Sequence, residues 1–162
     1  MTFLKVTGLF IVVLTAQLTV FTRIQVVGVA PELMALIAAM AGLIAGSQKG
    51  SLIAFFVGLL WDVYLTTPLG LSAISFAISA YAVGSIEEGL FPSTRVQTVV
   101  LVMAATAISL IQYVIWGGLI GHNHLLSSEL PKIIVVASAI NAILAVPVTP
   151  LMQWILKQSE SN

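Results

Sequence analysis

Charged residues divide this chain into long neutral intervals, and this feature constrains its fold more than any other. Only 7% of the 162 residues are charged and 59% are apolar, whereas a soluble domain carries about 25% charge. A soluble globular fold and a disordered chain are both excluded, and a lipid bilayer is the expected solvent. The neutral intervals have 17, 16, 24, 33 and 24 residues and separate Lys5 from Arg23, Glu32 from Lys49, Asp62 from Glu87, Arg95 from Glu129 and Lys132 from Lys157.

The intervals predict membrane-spanning helices. A spanning helix needs about 20 mostly apolar residues, and a helix satisfies its own backbone polar groups in lipid. The intervals do not alternate as the strands of a transmembrane barrel do. We therefore predict an all-α integral membrane protein with a single transmembrane domain, residues 1–162. Its six transmembrane helices are expected at residues 5–22, 31–46, 50–65, 69–86, 95–120 and 130–156.

The second and third predicted spans are short, and the polar turn 47–50 joins them. The alternative for this pair is a hairpin that stops short of one interface. Thr94 and Gln97 have the spacing of a capping box at the start of the fifth span, and Pro31 suits the first position of the second.

An excess of Lys and Arg marks cytoplasmic loops. This rule predicts that both termini are cytoplasmic, because four of the six basic residues then lie inside. They are Lys5, Lys49, Arg95 and Lys157.

Several function classes are excluded by what the sequence lacks. The net charge is zero, so there is no basic surface for nucleic acid. Cysteine is absent, which removes disulfides, thiolate metal sites and Cys nucleophiles. His122 and His124 alone do not make a closed metal site. No phosphate-binding loop, carboxylate pair or catalytic triad is recognisable. We predict a protein that is not an enzyme and needs no cofactor.

Asp62 is the most informative single residue, because a carboxylate in a membrane helix is costly, by about 2.5–3.5 kcal/mol at the helix centre. One interpretation is a partner contact or a ligand anchor. The other is a structural carboxylate that caps a neighbouring helix or bonds the Thr66-Thr67 turn. Small residues four apart, such as Ala54 and Gly58, predict close helix packing within the bundle. Gln17, Gln112, Tyr113 and Asn141 are expected mainly to join helices through hydrogen bonds.

The middle of the chain resembles the family of the rod shape-determining protein MreD. The pattern lies within residues 31–84, and the family commonly has Asp where this chain has Glu32. Outside that region the match is one of length, hydropathy and a nearly loop-free layout. The residues that carry the resemblance are Pro31-Glu32-Leu33-Met34, Gly50, Gly58-Leu59-Leu60-Trp61-Asp62, Pro68-Leu69-Gly70-Leu71-Ser72-Ala73, Tyr81 and Gly84.

The resemblance implies a non-enzymatic scaffold in the bacterial cytoplasmic membrane that supports peptidoglycan synthesis and regulation of cell shape. It implies binding to MreC and, through it, to MreB, RodA and a class B penicillin-binding protein. It also implies a bundle similar to the S component of energy-coupling-factor transporters. The candidate partner-binding or structural residues are Asp62, Gly58, Pro68, Gly70, Pro31 and Glu32.

An alternative function is a small-molecule-binding subunit of a membrane transporter, of the S-component type. Such a subunit needs a cavity lined by convergent polar groups. Asp62, Tyr64, Gln112 and Asn141 are the candidates for that role. A proton or ion pathway is disfavoured, because Asp62 has no second intramembrane charge to which it could relay a proton.

Overall fold

A computed structural model shows a bundle of helices joined by short connections. Residues 11–15 belong to the first helix, α1. The other helices of the described part are α2 (Leu33–Leu65), α3 (Leu71–Glu88), α4 (Arg95–Leu119) and α5 (Leu130–Lys157). The structure describes residues 8, 11–15, 17, 19, 28–65, 68–89, 94–121 and 129–157.

Helix α2 is broken at Gly46 into two arms, which we call the first arm (residues 33–45) and the second arm (residues 47–65). Gly46 has φ 82° and ψ 172°, a conformation that is essentially restricted to glycine. A Cβ atom on Gly50 would lie 2.5 Å from the Cα atom of Gly42, although eight residues of straight helix span about 12 Å. The arms therefore fold back on each other as a hairpin, as one interpretation of the sequence expected.

The first arm is the centre of the bundle. Every residue from Leu33 to Leu43 is buried, and this arm is apolar around its whole circumference. Helices α3, α4 and α5 all contact α2, and the contact with α3 is the most extensive. At about 1.5 Å per residue the first arm is only about 20 Å long, which is shorter than the hydrocarbon core of about 30 Å. It is better described as a buried core helix than as a lipid-facing span.

Small residues allow the helices of this region to approach closely. Gly42 lies against the backbone of Ala80, and a Cβ atom there would meet the Ala80 carbonyl oxygen. A Cβ atom on Gly58 would lie 2.5 Å from the Ala73 Cα atom, and one on Gly84 would lie 2.7 Å from the Ser47 nitrogen. The small-residue pattern is therefore used for packing inside the bundle, as predicted.

The observed starts of α2 and α4 can be compared with those that the sequence predicts. The Thr94 hydroxyl accepts a hydrogen bond from the Gln97 backbone N–H at 3.3 Å, which confirms the predicted cap of α4. The expected start of the second span at Pro31 is two residues too early, because α2 begins at Leu33. Pro31 and Glu32 therefore precede the first turn of α2. Side chains from other parts of the bundle form hydrogen bonds to their backbone carbonyls, as described below.

The prediction of six spans is not confirmed. Among the described residues, three helices are long and apolar enough to cross a membrane, and they are Leu33–Leu65, Arg95–Leu119 and Leu130–Leu156. The first of these contains the hairpin at Gly46, and α3 ends in the acidic pair Glu87-Glu88. Hydropathy along the sequence does not show which apolar segments cross the bilayer and which are enclosed by the others.

Candidate functional site

Asp62 lies at the C-terminal end of the second arm and caps the start of α3. Its carboxylate oxygens accept hydrogen bonds from the backbone N–H groups of Gly70 at 2.9 Å, Ser72 at 3.0 Å and Ala73 at 3.4 Å. The first N–H groups of a helix have no partner within the helix, and the residue before α3 is Gly70, which has no side chain to offer. Asp62 is fully buried. These hydrogen bonds match the structural interpretation of Asp62, a carboxylate that caps a neighbouring helix.

The turn between the two helices depends on Pro68 and Gly70. Gly70 has φ 102°, a left-handed conformation that glycine adopts without steric cost. The Pro68 carbonyl accepts a hydrogen bond from the Leu71 N–H at 3.3 Å. Asp62, Pro68 and Gly70 therefore lie together at the start of α3, while Gly58 lies one turn of the second arm away and packs against Ala73.

A second carboxylate makes the reciprocal contact at the other end of the same helix pair. Glu88, the last residue of α3, accepts a hydrogen bond from the Ser47 N–H at 2.7 Å and from the Ser47 hydroxyl at 3.1 Å. Ser47 opens the second arm. Each helix of this antiparallel pair thus places a carboxylate at the positive N-terminal end of its neighbour, and both ends of the pair are fixed.

The acidic pair Glu87-Glu88 lies at the end of the predicted fourth span, and the sequence predicts for it a solvated loop or, alternatively, a contact for a cytoplasmic partner. An acidic residue at a helix C-terminus is unfavourable for its own helix dipole. In a tightly packed antiparallel pair, the same position lies beside the N-terminus of the neighbour, where the charge is favourable. The contact with Ser47 was not among these predictions, because pairing between helices is a tertiary property.

The segment Pro31-Glu32 is held by side chains from α5 and from the N-terminal region. The Gln17 amide donates to the Pro31 carbonyl at 2.8 Å, and its oxygen accepts from the Leu33 N–H at 3.1 Å. The Asn141 amide donates to the Glu32 carbonyl at 2.8 Å. Gln17 and Asn141 are both buried. As predicted, these two amides join separate parts of the bundle through hydrogen bonds.

Replacement of Gln17 by alanine is expected to destabilise the bundle moderately. The two hydrogen bonds of Gln17 contribute about 1 kcal/mol together, at about 0.6 kcal/mol for each bond in a membrane protein. Thermal unfolding of the purified protein in detergent measures the loss. Gln48→Ala is the matched control, since Gln48 is exposed. If both variants unfold at the same temperature, the Gln17 bonds do not hold the entrance of α2.

A cavity of about 300 Å³ lies at the end of the bundle where α2 and α3 begin. Glu32 lines it, together with side chains of α2, α3, α4 and α5, among them Trp61, Phe76 and Tyr113. None of the four residues predicted for a transporter cavity lines it. Asp62 and Asn141 are fully buried, whereas Tyr64 is 48% exposed. The Gln112 amide oxygen is buried without a hydrogen-bond partner in the described part of the chain.

The residues that form the cavity are mostly not related by any pattern in the sequence. Spacing along one helix could not identify them, because each helix contributes only a few residues to the cavity wall. In the described ranges, no group of three or more His, Cys, Asp or Glu side chains is placed to hold a metal ion. His122 and His124 lie outside the described residues.

Comparisons with known proteins agree with the resemblance in the sequence. Neither a curated protein nor a solved structure matches the chain, so the similarity to the S component is not confirmed. A family model described as rod shape-determining protein MreD matches residues 1–157. That match extends well beyond the motif at residues 31–84 and includes all the described helices. The chain thus belongs to the MreD family of membrane proteins, whose role is in rod shape determination.

Proposed function

We propose that this protein is a non-enzymatic membrane scaffold that binds MreC and supports peptidoglycan synthesis during cell elongation. The family match over residues 1–157 carries the proposal. The chemistry of the bundle agrees with it, because Asp62 and Glu88 both accept hydrogen bonds from the backbone of neighbouring helices. These carboxylates therefore stabilise the helix packing, which is what a scaffold requires of them.

Through MreC, the scaffold would connect to MreB, RodA and a class B penicillin-binding protein, the partners that the family resemblance implies. In this assembly, four of the candidate residues influence partner binding only through the geometry of the bundle. They are Asp62, Gly58, Pro68 and Gly70. Asp62 is fully buried and Gly58 is packed against Ala73, so they set the geometry of α2 and α3. Partners then bind surfaces whose positions depend on that geometry.

The proposed location is the bacterial cytoplasmic membrane with both termini inside. Lys49 lies near the start of the second arm, Arg95 begins α4 and Lys157 ends α5. These three basic residues are at the end of the bundle that contains Glu87 and Glu88, and Lys132 is at the opposite end. This distribution supports the orientation that the positive-inside rule predicts.

Capture of MreC is the direct test. The full chain with an affinity tag is expressed in a rod-shaped bacterium depleted of its own MreD and is purified in mild detergent. We expect MreC among the captured proteins and restoration of rod shape. A tagged, unrelated multi-pass protein of similar size is the control for non-specific membrane capture. Normal membrane insertion with neither MreC capture nor rod shape would refute the scaffold.

The alternative function, a small-molecule-binding transporter subunit, is supported by one observation, the cavity beside Glu32. The two functions differ in a measurable way. A transporter subunit co-purifies with an ATP-hydrolysing module and gives ATP-dependent uptake of a solute into proteoliposomes. A scaffold gives neither result and still captures MreC.

A further inference from the structure

Glu32 differs from Asp62 and Glu88 in that its side chain has no hydrogen-bond or ion-pair partner in the described part of the chain. Its backbone carbonyl accepts hydrogen bonds from Asn141 and from the Leu36 N–H at 3.0 Å, so its main chain is fixed at the cavity wall. Among the residues that the structure describes, none donates a hydrogen bond to its carboxylate or forms an ion pair with it. Glu32 immediately precedes α2, whose positive N-terminal end favours its charge, and because the side chain is partly buried a nearby cation would stabilise that charge further.

The surroundings of Glu32 indicate which cation fits. Trp61, Phe76 and Tyr113 contribute to the cavity wall, and an aromatic ring attracts an ammonium group that lies over its free face. Ser72 and Ser109 add hydroxyl groups, and the rest of the lining is aliphatic. A divalent metal ion fits poorly, because Ca²⁺ or Mg²⁺ needs several oxygen ligands and the described residues offer no acidic cluster.

The size and position of the cavity favour a headgroup attached to a hydrocarbon chain. Its volume of about 300 Å³ is at the lower end of the range for small-molecule sites, roughly 300–1,000 Å³. Leu65 and Leu130 line it at the ends of α2 and α5, so apolar side chains extend toward the end of the bundle. Such a site suits a small charged group whose apolar tail follows the aliphatic wall.

We propose that this cavity binds a primary ammonium group carried on an apolar chain, with the Glu32 carboxylate as its counter-ion. The ligand is either the headgroup of an aminophospholipid or a free alkylamine, since both present the same chemistry. The proposal is independent of the scaffold function. Failure of MreC capture would not affect it, and failure of amine binding would leave the scaffold intact.

The test uses the full-length protein, purified in a maltoside detergent, and four probes. Short-chain phosphatidylethanolamine is compared with short-chain phosphatidylglycerol, and hexylamine with hexanol. Binding is followed by tryptophan fluorescence, because Trp61 lines the cavity, and by native mass spectrometry for the two lipids. We expect saturable binding of at least one amine and no saturable binding of its uncharged or anionic counterpart.

The variant Glu32→Gln keeps the size of the side chain and removes its charge. We expect it to bind the amine about tenfold more weakly, because a charge-assisted hydrogen bond becomes a neutral one. Glu129→Gln is the matched control, since Glu129 is exposed and paired with Lys132 at 3.2 Å. It should bind like the wild type.

The outcomes separate the two ligand sources and can overturn the site. Saturable binding of phosphatidylethanolamine alone identifies a lipid site, whereas equal binding of hexylamine identifies a site for free amines. Equal binding of amine and alcohol, no saturable binding of either amine, or unchanged binding by Glu32→Gln would each overturn the proposal. The comparison of amine with alcohol needs only the wild type, so it holds even if the variant does not fold.

Discussion

Asp62→Ala is expected to lower the free energy of unfolding by about 2–4 kcal/mol. The substitution removes the acceptor for the N–H groups of Gly70, Ser72 and Ala73. Loss of a helix cap costs about 0.5–2 kcal/mol, and each buried donor left without a partner adds about 1–3 kcal/mol. Gly70 cannot replace the cap, because it has no side chain. Thermal and denaturant unfolding of the purified protein in detergent measure the loss.

Two comparisons isolate the cap from a general charge effect. Asp62→Asn keeps one acceptor oxygen, so its loss of stability should be smaller than that of Asp62→Ala. Glu129→Ala removes an exposed carboxylate and should change stability by less than 0.5 kcal/mol. In cells, we expect Asp62→Ala to weaken MreC capture and to produce rounded cells. Rod-shaped cells, together with unchanged unfolding, would show that the start of α3 does not need this cap.

Gly58→Leu should disrupt the contact between the second arm and α3, at a cost of about 3 kcal/mol or more. A Cβ atom at this position lies 2.5 Å from the Ala73 Cα atom and 2.6 Å from its nitrogen. These are backbone atoms of a helix, so they cannot move aside as a flexible side chain would. Overpacking of a well-packed core costs about 1–3 kcal/mol even for smaller insertions. The two helices must separate to accept the new side chain.

Whether Gly58→Leu raises or lowers stability distinguishes the effect of packing from that of helix propensity. Leucine favours helix over glycine by nearly 1 kcal/mol, so propensity alone predicts a gain in stability for Gly58→Leu. Gly89→Leu is the matched control, because Gly89 is exposed and the nearest atom to its Cβ position is 3.6 Å away. Unfolding in detergent should show a large loss for Gly58→Leu and little change for Gly89→Leu. Equal stability of the two would mean that the close approach at Ala73 is not needed.

The most predictable parts of the fold are those that local chemistry decides. Long neutral intervals identify the membrane as solvent, because each segment partitions into lipid or water by its own composition. The cap of α4 was readable from Thr94 and Gln97, since both partners lie within one turn. The close packing at Gly58 was also predictable, because small residues four apart share one face of a helix.

The roles of the carboxylates were only partly predictable. The alternatives for Asp62 included the observed cap, but the sequence could not choose between that cap and a partner contact. Glu88 contacts Ser47, which is 41 positions away along the chain. Glu32 lines a cavity whose other side chains come from four helices. Such contacts depend on which helices become neighbours, and no local pattern records this.

The sequence by itself determined that the chain is helical, that it belongs in lipid and where α4 and α5 begin. The tertiary structure alone decided that the first arm of α2 is the buried centre and that the two arms form a hairpin at Gly46. The physical reason is that lipid chains are as apolar as leucine side chains. In water, an apolar face points to the core, but in a bilayer it can face either lipid or protein. Whether an apolar face points to lipid or to protein is then set by glycine contacts and by buried hydrogen bonds such as those of Asp62. These contacts form only when the helices meet.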